Sequence, residues 1–193
     1  KQGRTPYAIP VGGATPMAEV GYVLAFKEIQ EQAEALGIHF NYIIVCKGSG
    51  GTMAGLVIGA KHFQADTKIM GFSDTPQTHY DAQWVSQLAN QIAELIETDI
   101  RVSSNELSIF WEYAGEGYGI PTKEGVNMIK LMAQTEGILL EPVYTAKTMA
   151  GLVDLIQKGI LTEDDTVLFL HTGGIPGLFQ DAKRVKQILG SLK

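Results

Sequence analysis

Tyr42-Ile43-Ile44-Val45-Cys46-Lys47-Gly48-Ser49-Gly50-Gly51-Thr52-Met53-Ala54-Gly55-Leu56 is the stretch on which the fold turns. Residues 42–45 are short, apolar and rich in β-branched side chains, as a strand buried on both faces requires. Residues 48–52 hold three glycines, a serine and a threonine, which predicts a loop. The small apolar residues from there to about Gln64 predict a helix, and 69–72 reads as a second short strand. Strand, glycine loop, helix, strand is the repeating unit of an open parallel sheet.

Working outward, Thr15 and Pro16 suit the cap and first position of a helix to Leu36, where Gly37 supplies a left-handed stop. Its apolar residues Tyr22, Phe26, Ile29, Ala33 and Leu36 recur at three- and four-residue spacing. Downstream, a helix is predicted over 80–96, and either 100–102 or 107–110 is strand. Thr122 caps a helix to Glu136, and Thr145 caps another to Lys158. A strand follows at 166–170, then a last helix over 177–189. Neither repeat nor linker interrupts this order. The expected fold class is therefore α/β, a three-layer domain over 1–193 with a mostly parallel sheet and helices on both faces.

The 193 residues are 45% hydrophobic and 19% charged, the balance of a folded globular domain. A net charge of −6 argues against binding a phosphate backbone, which needs clustered cations, so no nucleic-acid partner is expected. No apolar stretch is long enough to span a membrane, and the polar start does not read as a secretory signal. A single cysteine, Cys46, excludes an internal disulfide framework and fits a reducing cytoplasm. The first residue is Lys, which suggests a processed, shortened or partial chain.

The loop Gly48-Ser49-Gly50-Gly51-Thr52 follows a strand and opens a helix, so its N–H groups can converge on an anion such as a phosphate. It is no nucleoside-triphosphate loop, because Lys47 precedes the glycines. A dinucleotide site stays open, since Gly48, Gly50 and Asp74 fit parts of that fingerprint. Met53, though, stands where its third small residue belongs. Two further clusters, Val11-Gly12-Gly13-Ala14 and His171-Thr172-Gly173-Gly174, also precede helices and could line the same crevice. The first reads more simply as an ordinary turn. His171 reads as a structural histidine, Cys46 as a packing thiol, Trp84 and Trp111 as packing residues, and His39, His62 and His79 lack metal-ligand spacing.

Five fragments in order are Ile9-Pro10-Val11-Gly12-Gly13, Gly48-Ser49-Gly50-Gly51-Thr52, Tyr118-Gly119-Ile120-Pro121-Thr122, Glu141-Pro142-Val143-Tyr144-Thr145 and His171-Thr172-Gly173-Gly174. Together they resemble the D-cysteine desulfhydrase and 1-aminocyclopropane-1-carboxylate deaminase family, fold-type II pyridoxal-phosphate enzymes related to the tryptophan synthase β subunit. The resemblance implies pyridoxal 5'-phosphate as cofactor, its phosphate held by Gly48, Ser49, Gly50, Gly51 and Thr52. It implies that Thr145 is the hydroxyl partner of the pyridine nitrogen and that Tyr118 and Tyr144 act beside the substrate. The deaminases carry Glu at the Thr145 position, so threonine favours α,β-elimination from D-cysteine or a similar amino acid.

The family's cofactor-linking lysine belongs to a Ser-Asn-Lys-like motif that does not occur in this sequence, and Lys47, Lys123 and Lys147 do not match it. The expectation is thus a C-terminal, cofactor-binding large domain, with the lysine and small domain outside the chain and no turnover by the chain alone. A homodimer acting on a small amino acid is the expected parent. The competing expectations are a non-catalytic phosphate- or cofactor-binding domain, an aminocyclopropane-carboxylate deaminase and a dinucleotide-binding domain.

Overall fold

The computed structural model describes residues 3, 5–76 and 79–191. Its described elements include seven α-helices and four strands: α1 (Pro16–Leu36), β1 (Tyr42–Lys47), α2 (Gly51–His62), β2 (Lys68–Ser73), α3 (Ala82–Leu95), β3 (Ser108–Phe110), α4 (Lys123–Thr135), α5 (Thr145–Gln157), β4 (Val167–Phe169), α6 (Pro176–Gln180) and α7 (Ala182–Ser191). The strands form one parallel sheet in the order β3-β2-β1-β4. In register, Lys47 stands beside Ser73 and Ile44 beside Phe169.

Alternation along β1 builds the three layers. Ile43 and Val45 join Met53, Leu56 and Ile92 on the side of α1, α2 and α3. Ile44 faces the other way, joining Met70, Phe72 and Leu155 beneath α5, with α4 packed behind it. Because β1 and β2 are covered on both faces, their sequences show unbroken apolar runs rather than alternation.

Glycines set how closely the layers approach. A Cβ on Gly55 would come within 2.6 Å of Tyr22 Cβ, and one on Gly59 within 2.5 Å of Phe26 Cβ, so α1 and α2 touch almost backbone to backbone. That contact seats the start of α1 beside the loop that opens α2.

The ends of α1 form as predicted: Thr15 Oγ1 accepts from the N–H of Ala18 at 3.2 Å, and Gly37 turns left-handed at φ +67°. Several boundaries differ. The third strand lies at Ser108–Phe110, while 100–102 is irregular, its Val102 N–H and carbonyl bound by the Asn90 side chain. The helix expected from Tyr80 starts at Ala82, because Asp81 caps it by accepting from the Trp84 N–H at 2.9 Å. The predicted last helix is broken into α6 and α7 at Asp181.

Thr145 is not a cap. It is the first residue of α5, and the Glu141 carboxylate caps that helix from the preceding turn.

Candidate functional site

Outside the carboxyl ends of β1, β2 and β4 lies a cleft of about 680 Å³, the place where open parallel sheets gather ligands. It is lined by residues 48–52, Gly12, Asp74, Tyr118, Tyr144 and Thr172, among others. All three glycine clusters therefore meet there, including the first, which the sequence read as an ordinary turn. Gly12 (φ +69°) presses so close that a Cβ on it would stand 2.5 Å from Ser49 Oγ. A second cavity, of about 400 Å³, lies beside His39 and Asp66 at the start of the strands and includes none of the expected site residues.

The glycine loop is shaped for an anion. Gly50 enters α2 in the left-handed region (φ +90°), and no side chain caps that helix. Its first hydrogen bond runs from the Ala54 N–H to the Gly50 carbonyl, so the N–H groups of 51–53 point out of the helix end toward the loop. A Cβ on Gly50, itself left-handed, would meet Val85 at 2.6 Å, and one on Gly51 would meet Glu19 Oε1 at 1.9 Å, so a side chain at Gly51 must displace the Glu19 carboxylate. The Trp84 indole fixes the loop by donating to the Ser49 carbonyl at 3.0 Å. Trp84, read from sequence as packing alone, holds the loop in place as well.

Charged groups are buried behind this cradle. Asp74 is 2% exposed, its Oδ1 has no hydrogen-bond partner among the described residues, and burial pushes its carboxyl up to about 6. Burial of this carboxyl weakens the support it lent to a dinucleotide site. Lys47 is fully buried; it donates to the Tyr80 carbonyl, rests 4.2 Å above the centre of the Trp111 ring, and is lowered to about 8 by burial. Lys147 donates to the carbonyls of Asp74 (2.9 Å), Ala114 (2.7 Å) and Gly117 (3.0 Å). Among the described residues no lysine lines the cleft.

Cys46, expected to be a packing thiol, reaches the cleft wall, and burial raises its pKa well above the usual thiol range.

On the opposite wall the hydroxyls of Tyr118 and Tyr144 are hydrogen-bonded to each other. Burial and this bond raise the Tyr144 phenol, so at neutral pH it is a hydrogen-bond donor and not a base. Tyr144 is oriented by Glu141, whose Oε1 accepts from the N–H groups of Tyr144 and Thr145 at 2.7 Å each, while Oε2 accepts from Val143 at 2.8 Å. The Thr145 hydroxyl accepts from the Glu141 N–H at 3.0 Å and donates to its Oε1 at 3.2 Å. Thr145 is 1% exposed, behind the cleft wall and not on it. His171 is structural: its Nδ1 accepts from the Gly173 N–H at 3.2 Å, which leaves Nε2 to donate to the Leu139 carbonyl at 2.9 Å.

A family model described as pyridoxal-phosphate dependent enzyme matches residues 1–173. The chain belongs to this family. A crystal structure described as an ACC deaminase homologue is 38% identical and superposes with a TM-score of 0.86, covering 97% of this chain and 55% of that one. The threonine deaminase of T.th. (19% identical, TM-score 0.53, 83% of this chain and 59% of that one) shares the fold. So does the processed threonine deaminase isoform 2 of Solanum lycopersicum (16% identical, TM-score 0.55, 96% of this chain and 49% of that one). The chain thus spans about half the length of these solved relatives.

The fold is the three-layer α/β architecture of tryptophan synthase β-like enzymes, and the cofactor of this family is pyridoxal 5'-phosphate. The residues present fit such a group. A backbone cradle without Cβ atoms and an uncapped helix start suit its phosphate, and the cleft beyond has room for a ring.

Two contributors were missed from sequence. Glu141 lay inside a quoted fragment, but nothing in its spacing reveals a carboxylate capping a helix across Pro142. Lys147 matched an ordinary helix position, and only the loop folded over it explains its burial. No described helix is long and apolar enough to cross a membrane.

Proposed function

We propose that this chain is the cofactor-binding large domain of a pyridoxal-phosphate-dependent lyase of the D-cysteine desulfhydrase type. The observation that carries the reading is the convergence of three glycine turns and an uncapped helix start on one cleft faced by a tyrosine pair. The reaction is α,β-elimination: D-cysteine and water give pyruvate, ammonia and sulfide. When bound, the cofactor supplies the electron sink for bond cleavage at the substrate Cα.

The chain's own residues divide the remaining work. Residues 48–52 hold the phosphate through backbone N–H groups and the positive end of α2. Tyr118 and Tyr144 face the substrate as phenols, Tyr144 as a hydrogen-bond donor. Thr145 is the hydroxyl behind the ring nitrogen. Its proton is held by Glu141 in this arrangement, so it would have to turn toward the cleft to donate to the ring nitrogen. Threonine here in place of glutamate favours elimination of a thiol over opening of a cyclopropane ring.

The lysine that anchors the cofactor is supplied by polypeptide outside these 193 residues, which fits the absence of a described lysine from the cleft. The parent is a cytoplasmic homodimer. A non-catalytic cofactor-binding domain is the second reading, favoured by that same absence.

The test is product release by the complete parent protein and by the 193-residue chain. Ammonia and sulfide from D-cysteine by the parent, with none from the chain alone, is the expected outcome. Turnover of 1-aminocyclopropane-1-carboxylate in place of D-cysteine would overturn the substrate assignment. Inactivity of the parent toward both would favour the second reading, and robust turnover by the short chain would refute the missing lysine.

A further inference from the structure

A lysine ammonium has three hydrogens, and burying it is costly unless each finds an acceptor. Lys147 is 1% exposed, and its three acceptors come from two separate segments. One is the Asp74 carbonyl at the exit of β2, next to the anion loop. The other two, the carbonyls of Ala114 and Gly117, belong to the irregular segment 111–121 that carries Tyr118. That segment turns through left-handed glycines at 115 and 119, has no sheet or helix ladder of its own, and is held by side chains: Tyr113 donates to Asp154, Lys47 rests on Trp111, and Lys147 donates to the carbonyls of Ala114 and Gly117.

Lys147 lies in the first turn of α5, which starts directly after Tyr144. One helix turn therefore presents Tyr144 to the cleft and, three residues later, an ammonium beneath the loop that returns Tyr118 to Tyr144. The Asp74 carboxyl is the nearby counter-charge, and among the described residues no contact ion pair diverts the ammonium from its carbonyls.

We propose that Lys147 is a positioning residue that pins the 111–121 segment to the exit of β2 and so sets the tyrosine wall at its distance from the anion loop. This rests on the cleft being the cofactor site. The group whose fit depends on the clamp is the ring end of a pyridoxal-type phosphate ester, not the phosphate itself.

The experiment compares two ligands on the 193-residue chain. Inorganic phosphate probes the loop alone. Pyridoxamine 5'-phosphate, whose amine cannot condense with lysines, probes loop and tyrosine wall together. In Lys147→Met, phosphate affinity stays within about twofold of the unsubstituted chain, whereas pyridoxamine phosphate affinity falls about tenfold, the scale of losing buried hydrogen bonds. Lys147→Gln, which keeps two donors without the charge, falls between.

Equal loss of both affinities would mark Lys147 as a general stabiliser and overturn the proposal, as would unchanged affinity for pyridoxamine phosphate. Amide exchange in the unsubstituted chain decides independently of any variant. The Ala114 amide, which bonds the Trp111 carbonyl at 3.2 Å, should be protected, and exchange there at the rate of an open chain would refute the clamp. If the unsubstituted chain binds neither ligand, the cofactor-site reading fails, while a protected Ala114 amide would still uphold the tether.

Discussion

Asp74 Oδ2 lies 3.0 Å from the position a Cβ would take on Gly48, so a buried carboxyl sits directly behind the first residue of the anion loop. Its folded pKa, about 6, is above the ordinary 3.8, so the folded state holds this proton more tightly than the unfolded chain does. Stability from this group is full below about pH 4, declines as pH rises toward 6, and is flat above, with a total loss of at most about 3 kcal/mol. Glu19, raised by burial from 4.5 to about 7, acts in the same direction over a slightly higher window. Thermal midpoints measured from about pH 4 to 8 should fall less steeply between 4 and 6 in Asp74→Asn, and between 4.5 and 7 in Glu19→Gln. Unchanged slopes would show that neither group carries a displaced proton.

Gly51 and Glu19 form a second coupled pair, because a Cβ on the glycine would stand 1.9 Å from Glu19 Oε1. Gly51→Ala should cost about 2 kcal/mol or more as an overpacked buried site. Adding Glu19→Ala should recover about 1 kcal/mol or more of that loss, a coupling readable by denaturant unfolding. Strict additivity would contradict the contact.

Gly12 acts on the site more than on the fold. It lies in an exposed turn, yet it is left-handed and presses on Ser49. Gly12→Ala should weaken phosphate binding about tenfold while lowering the thermal midpoint by only a few degrees. A large drop in stability with unchanged binding would reverse that order.

Cys46 lines the cleft but stays a thiol, since burial and the charge of Asp74 both disfavour the thiolate. Alkylation by iodoacetamide at about pH 8 should be roughly tenfold or more slower in the folded chain than in urea. Equal rates would show an ionised, accessible sulfur.

The central unit was legible because β1, the glycine loop and α2 follow one another without a gap, and burial on both faces leaves an unbroken apolar run. The cleft was legible only in part. Residues 48–52 announce themselves by composition, whereas Gly12 reaches the site through the close α1–α2 packing, which no local pattern encodes. The role of Thr145 as a cap was misread because a threonine before a helical run usually caps it. Here Glu141, four residues upstream, supplies the carboxylate instead. Lys147 was invisible, and the burial of Asp74 unforeseen, for one reason: each owes its environment to segments distant in sequence.

The most direct test of the account is an amide-resolved NMR titration of the 193-residue chain with pyridoxamine 5'-phosphate. The N–H signals of Gly48, Ser49, Gly50, Gly51 and Thr52 should shift together and saturate, with Gly12 and Tyr118 following and the cavity beside His39 silent. Saturable shifts at that second cavity, or none in the glycine loop, would contradict a cofactor site at the start of α2.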